Sequence, residues 1–140
     1  MRGHKNRQQA IWYEFNLERR IRADHPLRGI KKLADEELAR MSPKFNAAYS
    51  AIGRPSIPPE ALIKATLLQV LYSIRSERKL CEEIGYNLLF RWFLDLAPDA
   101  AVWDPTTFTQ NRDRFAEHGL MAAFFDGTVA EAIRSEATSN

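Results

Sequence analysis

The sequence is short of the residues that stabilise or catalyse most obviously: 140 residues contain one Cys, three His and six Gly. A single cysteine, Cys81, excludes a disulfide within the chain and fits a reducing compartment. His4, His25 and His118 are scattered, and none has metal-ligand spacing with Cys81. Neither a G-x-S-x-G elbow nor a phosphate-binding glycine loop is present. The chain also lacks a run of about 18 apolar residues, so no membrane span is expected. Its polar start, Met1-Arg2-Gly3-His4-Lys5, is not that of a signal peptide. What remains is an ordinary globular profile, 45% hydrophobic and 27% charged. One domain of this size buries about 68–70% of its unfolded surface without covalent help.

The net charge is only +2. Its distribution is uneven. Residues 1–32 carry nine Lys/Arg against three Asp/Glu, a local balance of +6, and residues 33–140 carry eleven against fifteen, or −4. A basic end, including Lys5 and Arg7, can neutralise phosphates, and a solvated N-terminus gives the same arithmetic. The acids Asp35-Glu36-Glu37 and Glu82-Glu83 are consecutive on helices and read as solvated faces.

Almost every periodic segment reads as helix, which predicts an all-α, compact multi-helix domain with a helix-turn-helix-like core. Residues 1–25 read as an irregular basic arm, 26–135 as the helical domain and 136–140 as a frayed tail. Leu17 and Ile21 in the arm, with Ile11, Trp12 and Phe15, can dock on the core. Helices are expected over Leu27–Met41, from a Ser42 cap to Tyr49, and over Glu60–Ile74. Pro59 suits the first helical position, with Ile57 and Leu62 placed as a hydrophobic staple. The Glu60–Ile74 helix is apolar nearly all round, including Val70 and Leu71, and should be central. Ser76 caps Glu77–Ile84, and Gly85 ends it. Asn87–Leu96 is a further core helix. Thr106 is placed as the cap of a helix to His118, Gly119 interrupts, and a last helix runs from Leu120 to about Arg134.

Two constellations resemble nucleic-acid readers. The pair Glu60–Ile74 and Glu77–Ile84 has helix-turn-helix length and tightness, with Arg75, Arg78 and Lys79 at the turn. The Thr106–Arg114 helix buries Phe108 and Phe115 and offers Thr107, Gln110, Asn111 and Arg114, with Arg112 near the boundary. Asn and Gln suit adenine edges, Arg suits guanine and Thr the thymine methyl. A plain core with charged corners and a polar surface helix accounts for the same residues.

Several strings resemble the N-terminal domain of insertion-sequence-five family (InsH-like) transposases. They are His25-Pro26-Leu27-Arg28, Gly53-Arg54-Pro55-Ser56-Ile57-Pro58-Pro59-Glu60, Leu68-Gln69-Val70-Leu71-Tyr72-Ser73-Ile74-Arg75-Ser76-Glu77-Arg78, Tyr86-Asn87-Leu88-Leu89-Phe90-Arg91-Trp92-Phe93 and Thr106-Thr107-Phe108-Thr109-Gln110-Asn111-Arg112-Asp113-Arg114. They stand in family order across nearly the whole chain. The resemblance implies a DNA-binding module for transposon ends, the terminal inverted repeats of double-stranded DNA, in the cytoplasm with the nucleoid. It also implies an RNase H-like domain with three metal-binding acids, whose first aspartate would follow residue 140. No cofactor is then expected here, since the divalent metal belongs to that domain, and no catalytic site of its own. Asp126-Gly127-Thr128 imitates the aspartate motif but falls in a helical stretch and is read as coincidence. The rival reading is an interaction module that dimerises subunits through Trp12, Phe90, Trp92 and Trp103, or a truncated remnant acting as a repressor.

Overall fold

The computed structural model describes residues 17–52 and 57–128, with side chains at 17–48 and 57–128. Among these residues there are helices and no strands, so the fold is all-α, as the periodicity predicts. Lys5, Arg7, Ile11, Trp12, Phe15 and the tail 136–140 lie outside the described residues.

Residues 17–20 (α1) are helical, where irregular chain was expected. Leu, Glu and Arg are good helix formers, and a distant side chain closes the end. Arg28 donates to the carbonyls of Glu18 at 2.8 Å, Ile21 at 2.6 Å and Arg22 at 2.7 Å. Leu17 and Ile21 pack on the core as expected.

Helix α2 (Pro26–Arg40) starts at a His25 cap, whose Nδ1 accepts from the Leu27 N–H at 3.0 Å. Pro26 occupies the first turn, where a missing N–H costs nothing. Met41 ends α2 and begins α3 (Ser42–Ile52). Its N–H reaches the Glu37 carbonyl at 3.0 Å, and its own carbonyl accepts from Phe45 at 3.1 Å. Ser42 is therefore the first residue of α3 and not its cap.

Helix α4 (Pro59–Leu71) begins as expected, with Pro59 in the first turn and both Ile57 and Leu62 fully buried. It stops three residues before Ile74. Ser73 adopts a left-handed φ of 53°. The Ser73 N–H then meets the Val70 carbonyl at 3.3 Å, and the Ile74 N–H meets that of Gln69 at 2.9 Å. This is the bonding of a Schellman end, made here by a serine instead of glycine. Val70 and Leu71, expected in the core, and Tyr72 after them are 64%, 43% and 44% exposed, so the last turn of α4 is not buried all round.

Ser76 caps α5 (Glu77–Tyr86), accepting from the Lys79 N–H at 3.1 Å. The helix runs through Gly85, so that glycine is not the stop. Asn87 is, and it also opens α6 (Leu88–Phe93). Its Oδ1 accepts from Leu89 and Phe90 at 2.9 and 3.3 Å. Asn87→Ala should cost about 1 kcal/mol in a urea titration, while Asn87→Ser should keep most of the capping.

Helix α7 (Pro105–Glu117) is capped by Asp104, not Thr106. Pro105 takes the first turn, so the residue before it must be the cap. Gly119, at φ 71°, separates α7 from α8 (residues 120–128). Asp126, Gly127 and Thr128 lie within this helix, as the coincidence reading expects. A Cβ on Gly127 would meet only the Glu37 carboxylate, the far end of a flexible side chain that can turn aside.

The chain folds around α4. Leu62, Ile63, Ala65 and Leu68 are fully buried, as are Phe93, Phe108, Phe115 and Phe124 from three other helices. Helix α7 packs on α4 and α5, α6 on α5, and α3 on α2.

Candidate nucleic-acid interface

The turn after α4 and the cap at Ser76 leave three cations at the start of α5. Arg75, Arg78 and Lys79 are all exposed. Arg75 and Arg78 make no hydrogen bond or ion pair with a described residue, and the Lys79 ammonium stands 4.0 Å from Glu83. Two guanidiniums unpaired among the described residues, and one ammonium loosely paired with Glu83, are thus held on one corner by a closed turn and a capped helix.

Glu77, beside them, is engaged. Arg112 of α7 donates to its carboxylate, and that bond holds Glu77 below its ordinary range against a smaller opposing effect of burial. Arg112 therefore joins α7 to α5, and a second contact, 3.8 Å to Asp113, occupies it further.

The other residues of α7 fall into three groups. Asn111 is 7% exposed, and its amide donates to the Thr107 carbonyl at 2.8 Å, so it points into the core side. Thr107 is tied to the cap, its N–H and hydroxyl reaching the Asp104 carboxylate at 3.0 and 2.8 Å. Gln110 and Arg114 are exposed and make no such bond with a described residue. Successive helical residues advance by about 100°, so Arg114 lies about 200° around from Arg112. With Arg112 turned to α5, Arg114 occupies the opposite flank. The five polar residues of α7 do not form one face. Arg75, Arg78 and Lys79 do stand together.

A second polar system, unforeseen in the sequence, lies across the domain. Lys64 of the apolar helix α4 is 2% exposed. Its ammonium sits 2.7 Å from Asp35 and 3.1 Å from Asp95. Lys31 lies 3.0 Å from each of the same carboxylates. Two ammoniums and two carboxylates alternate in a ring that ties α2, α4 and the end of α6 together. Asp95 reaches it from a left-handed φ of 59°, in another Schellman end. Burial pushes the Asp95 carboxyl up, but bonds from Lys31 and Lys64 outweigh it and hold the group below its ordinary range. For Lys31, burial acts downward, and the bonds to Asp35 and Asp95 carry it above its ordinary range.

Next to the ring, Arg28 and Trp92 Nε1 both donate to Glu18, which lowers its pKa, the Arg28 bond most. Arg28 and Lys31 also stand 5.2 and 5.6 Å from the Trp92 ring centroid, within cation–π reach. The acids Asp35-Glu36-Glu37 are thus not one solvated face. Asp35 belongs to the ring, Glu37 pairs with Arg40 at 3.0 Å, and Glu36 alone is exposed. The i,i+4 spacing of Lys31 and Asp35 was the available signal, together with one lysine inside an otherwise apolar helix.

Cys81 is buried, and burial pushes its thiol up, which leaves it inert core. No cluster of three or more His, Cys, Asp or Glu could hold a metal among the described residues. None of their helices is long and apolar enough to cross a membrane. The aromatics assigned to dimerisation are largely used internally. Phe90 and Trp92 are 2% and 7% exposed, and Trp103 stacks on Phe108 with centroids 6.3 Å apart. Trp12 lies outside the described residues.

No curated protein and no solved structure matches the chain. A family model described as a transposase domain (DUF772) matches residues 15–114. The match spans α1 to most of α7, including the cationic corner and the charged ring, and the chain belongs to this transposase-domain family.

Proposed function

We propose that this domain binds double-stranded DNA at the terminal inverted repeats of a mobile element, of the insertion-sequence-five type that its motif strings resemble. The carrying observation is the exposed cluster Arg75, Arg78 and Lys79 at the start of α5, in which only Lys79 has an ion-pair partner among the described residues, Glu83 at 4.0 Å. In this reading α4, the turn and α5 act as a helix-turn-helix, with the start of α5 entering the major groove. Membership of a transposase-domain family supports a role in transposition. Asn111 and Arg112 are withdrawn from base reading, because each is already engaged within the fold. Gln110 and Arg114 serve as contacts on the far flank of α7.

The test is a gel shift with duplex carrying the element's terminal repeat and with a scrambled duplex of equal length. Preferential binding of the terminal repeat is expected. Equal, negligible affinity for both would sink the proposal.

A second reading, self-association, is favoured by Tyr86 and Leu88, 85% and 36% exposed at the α5–α6 junction. Light scattering at high micromolar concentration separates it from the first, a monomer counting against.

A further inference from the structure

A cavity of about 510 Å³ opens between the α4–α5 turn and the start of α6. Tyr72 and Phe90 form its aromatic side, with ring centroids 5.1 Å apart and planes tilted by 55°. Phe90 is buried, whereas Tyr72 is 44% exposed, so Tyr72 is the ring open to an incoming group. Arg75, Lys79 and Glu83 supply the charged side of the same cavity. The left-handed backbone at Ser73 is what turns the chain between Tyr72 and Arg75.

These groups match a nucleotide in kind. An exposed ring stacks on a base of any sequence. A guanidinium unpaired among the described residues and a loosely held ammonium suit its phosphate. The Glu83 carboxylate can accept from an exocyclic amine. The volume lies within the usual range of small-ligand sites. We propose that this cavity takes one unstacked nucleotide of the bound DNA, its base against Tyr72 and its phosphate toward Arg75 and Lys79. This rests on the DNA-binding reading above and adds a base pocket to it.

A base that is already unpaired enters such a pocket without the cost of extrusion. The test is therefore fluorescence anisotropy on a short duplex, fully paired or carrying one bulged adenine. The bulged duplex should bind about tenfold tighter, a typical effect of one base stacking on an aromatic ring. Tyr72→Leu, which keeps an apolar side chain but no ring, should lose that preference and retain its affinity for paired duplex. Tyr72→Phe should keep both. Equal wild-type affinity for the two duplexes would overturn the pocket and leave DNA binding standing. So would a preference that survives Tyr72→Leu. If that variant instead dissolves a dimer, the occupant is a second copy of the chain and the proposal falls. Binding to neither duplex would remove the pocket and the DNA-binding reading together.

Discussion

Replacing Asp35 and Asp95 together by Asn should destabilise the domain by about 3–5 kcal/mol, and Lys64→Met by about 1 kcal/mol or less. The two changes act on the same ring from opposite sides. The double variant leaves Lys31 and Lys64 close together with no counter-charge between them, and Lys64 is 2% exposed. An uncompensated charge in such a place is among the costliest defects a fold can carry. Lys64→Met removes the deepest charge and keeps a similar shape against Phe93, whose ring centroid lies 5.6 Å from the ammonium. Asp35 and Asp95 then still have Lys31 at 3.0 Å, and both are partly solvated. Urea titrations of the three proteins measure the difference. Equal losses in both variants would contradict the assignment of the cost to buried lysine.

The ring also sets a pH dependence. The Asp95 carboxyl lies below its ordinary value of 3.8 in the folded protein. A lowered carboxylate stabilises the fold fully above the unfolded pKa, and that stabilisation is lost as pH falls through the folded one. Wild-type stability should therefore drop on acidification below about pH 4. The double Asn variant, lacking both carboxylates, should show a shallower drop.

Converting Arg75, Arg78 and Lys79 together to Ala should weaken DNA binding by roughly 1,000-fold at moderate salt, since three charge-assisted contacts of about 1.5 kcal/mol each sum to about 4.5 kcal/mol. All three side chains are exposed, so the fold should be unaffected. The loss should be similar on terminal and scrambled duplex for the phosphate contacts, and larger on the terminal repeat for any residue that reads a base. Arg114→Ala, on the opposite flank of α7, should cost less than the triple change. The reverse order would place the groove-facing surface on α7.

The sequence made some elements of this fold legible and concealed others for a consistent reason. Ser76, Pro59 and Gly119 act within a turn of their own position, and their roles follow from local chemistry. Asp104 was equally local. The Asp-Pro-Thr-Thr order offers two caps, and the missing N–H of Pro105 decides for the residue before it. Ser73 and Asp95 were not legible, because their side chains do not announce a left-handed backbone as glycine would. Within the ring only Lys31–Asp35 has helical spacing; the Lys64–Asp95 contact and the Arg112–Glu77 bridge span 31 and 35 positions, separations at which helical spacing carries no information. That bridge also reoriented the candidate site. Periodicity alone left Arg112 at the edge of α7's polar side, and its partner on α5 fixed which flank meets the neighbour and which does not.

The most direct test of DNA binding is the salt dependence of affinity, measured by fluorescence anisotropy for wild type and for the Arg75/Arg78/Lys79 triple variant on terminal-repeat duplex. Affinity should fall linearly with salt on logarithmic axes, and the triple variant's slope should be shallower by about 2–3, close to 0.9 for each lost phosphate contact. Wild-type affinity that does not change with salt, or equal slopes for the two proteins, would contradict the assignment of this corner to DNA.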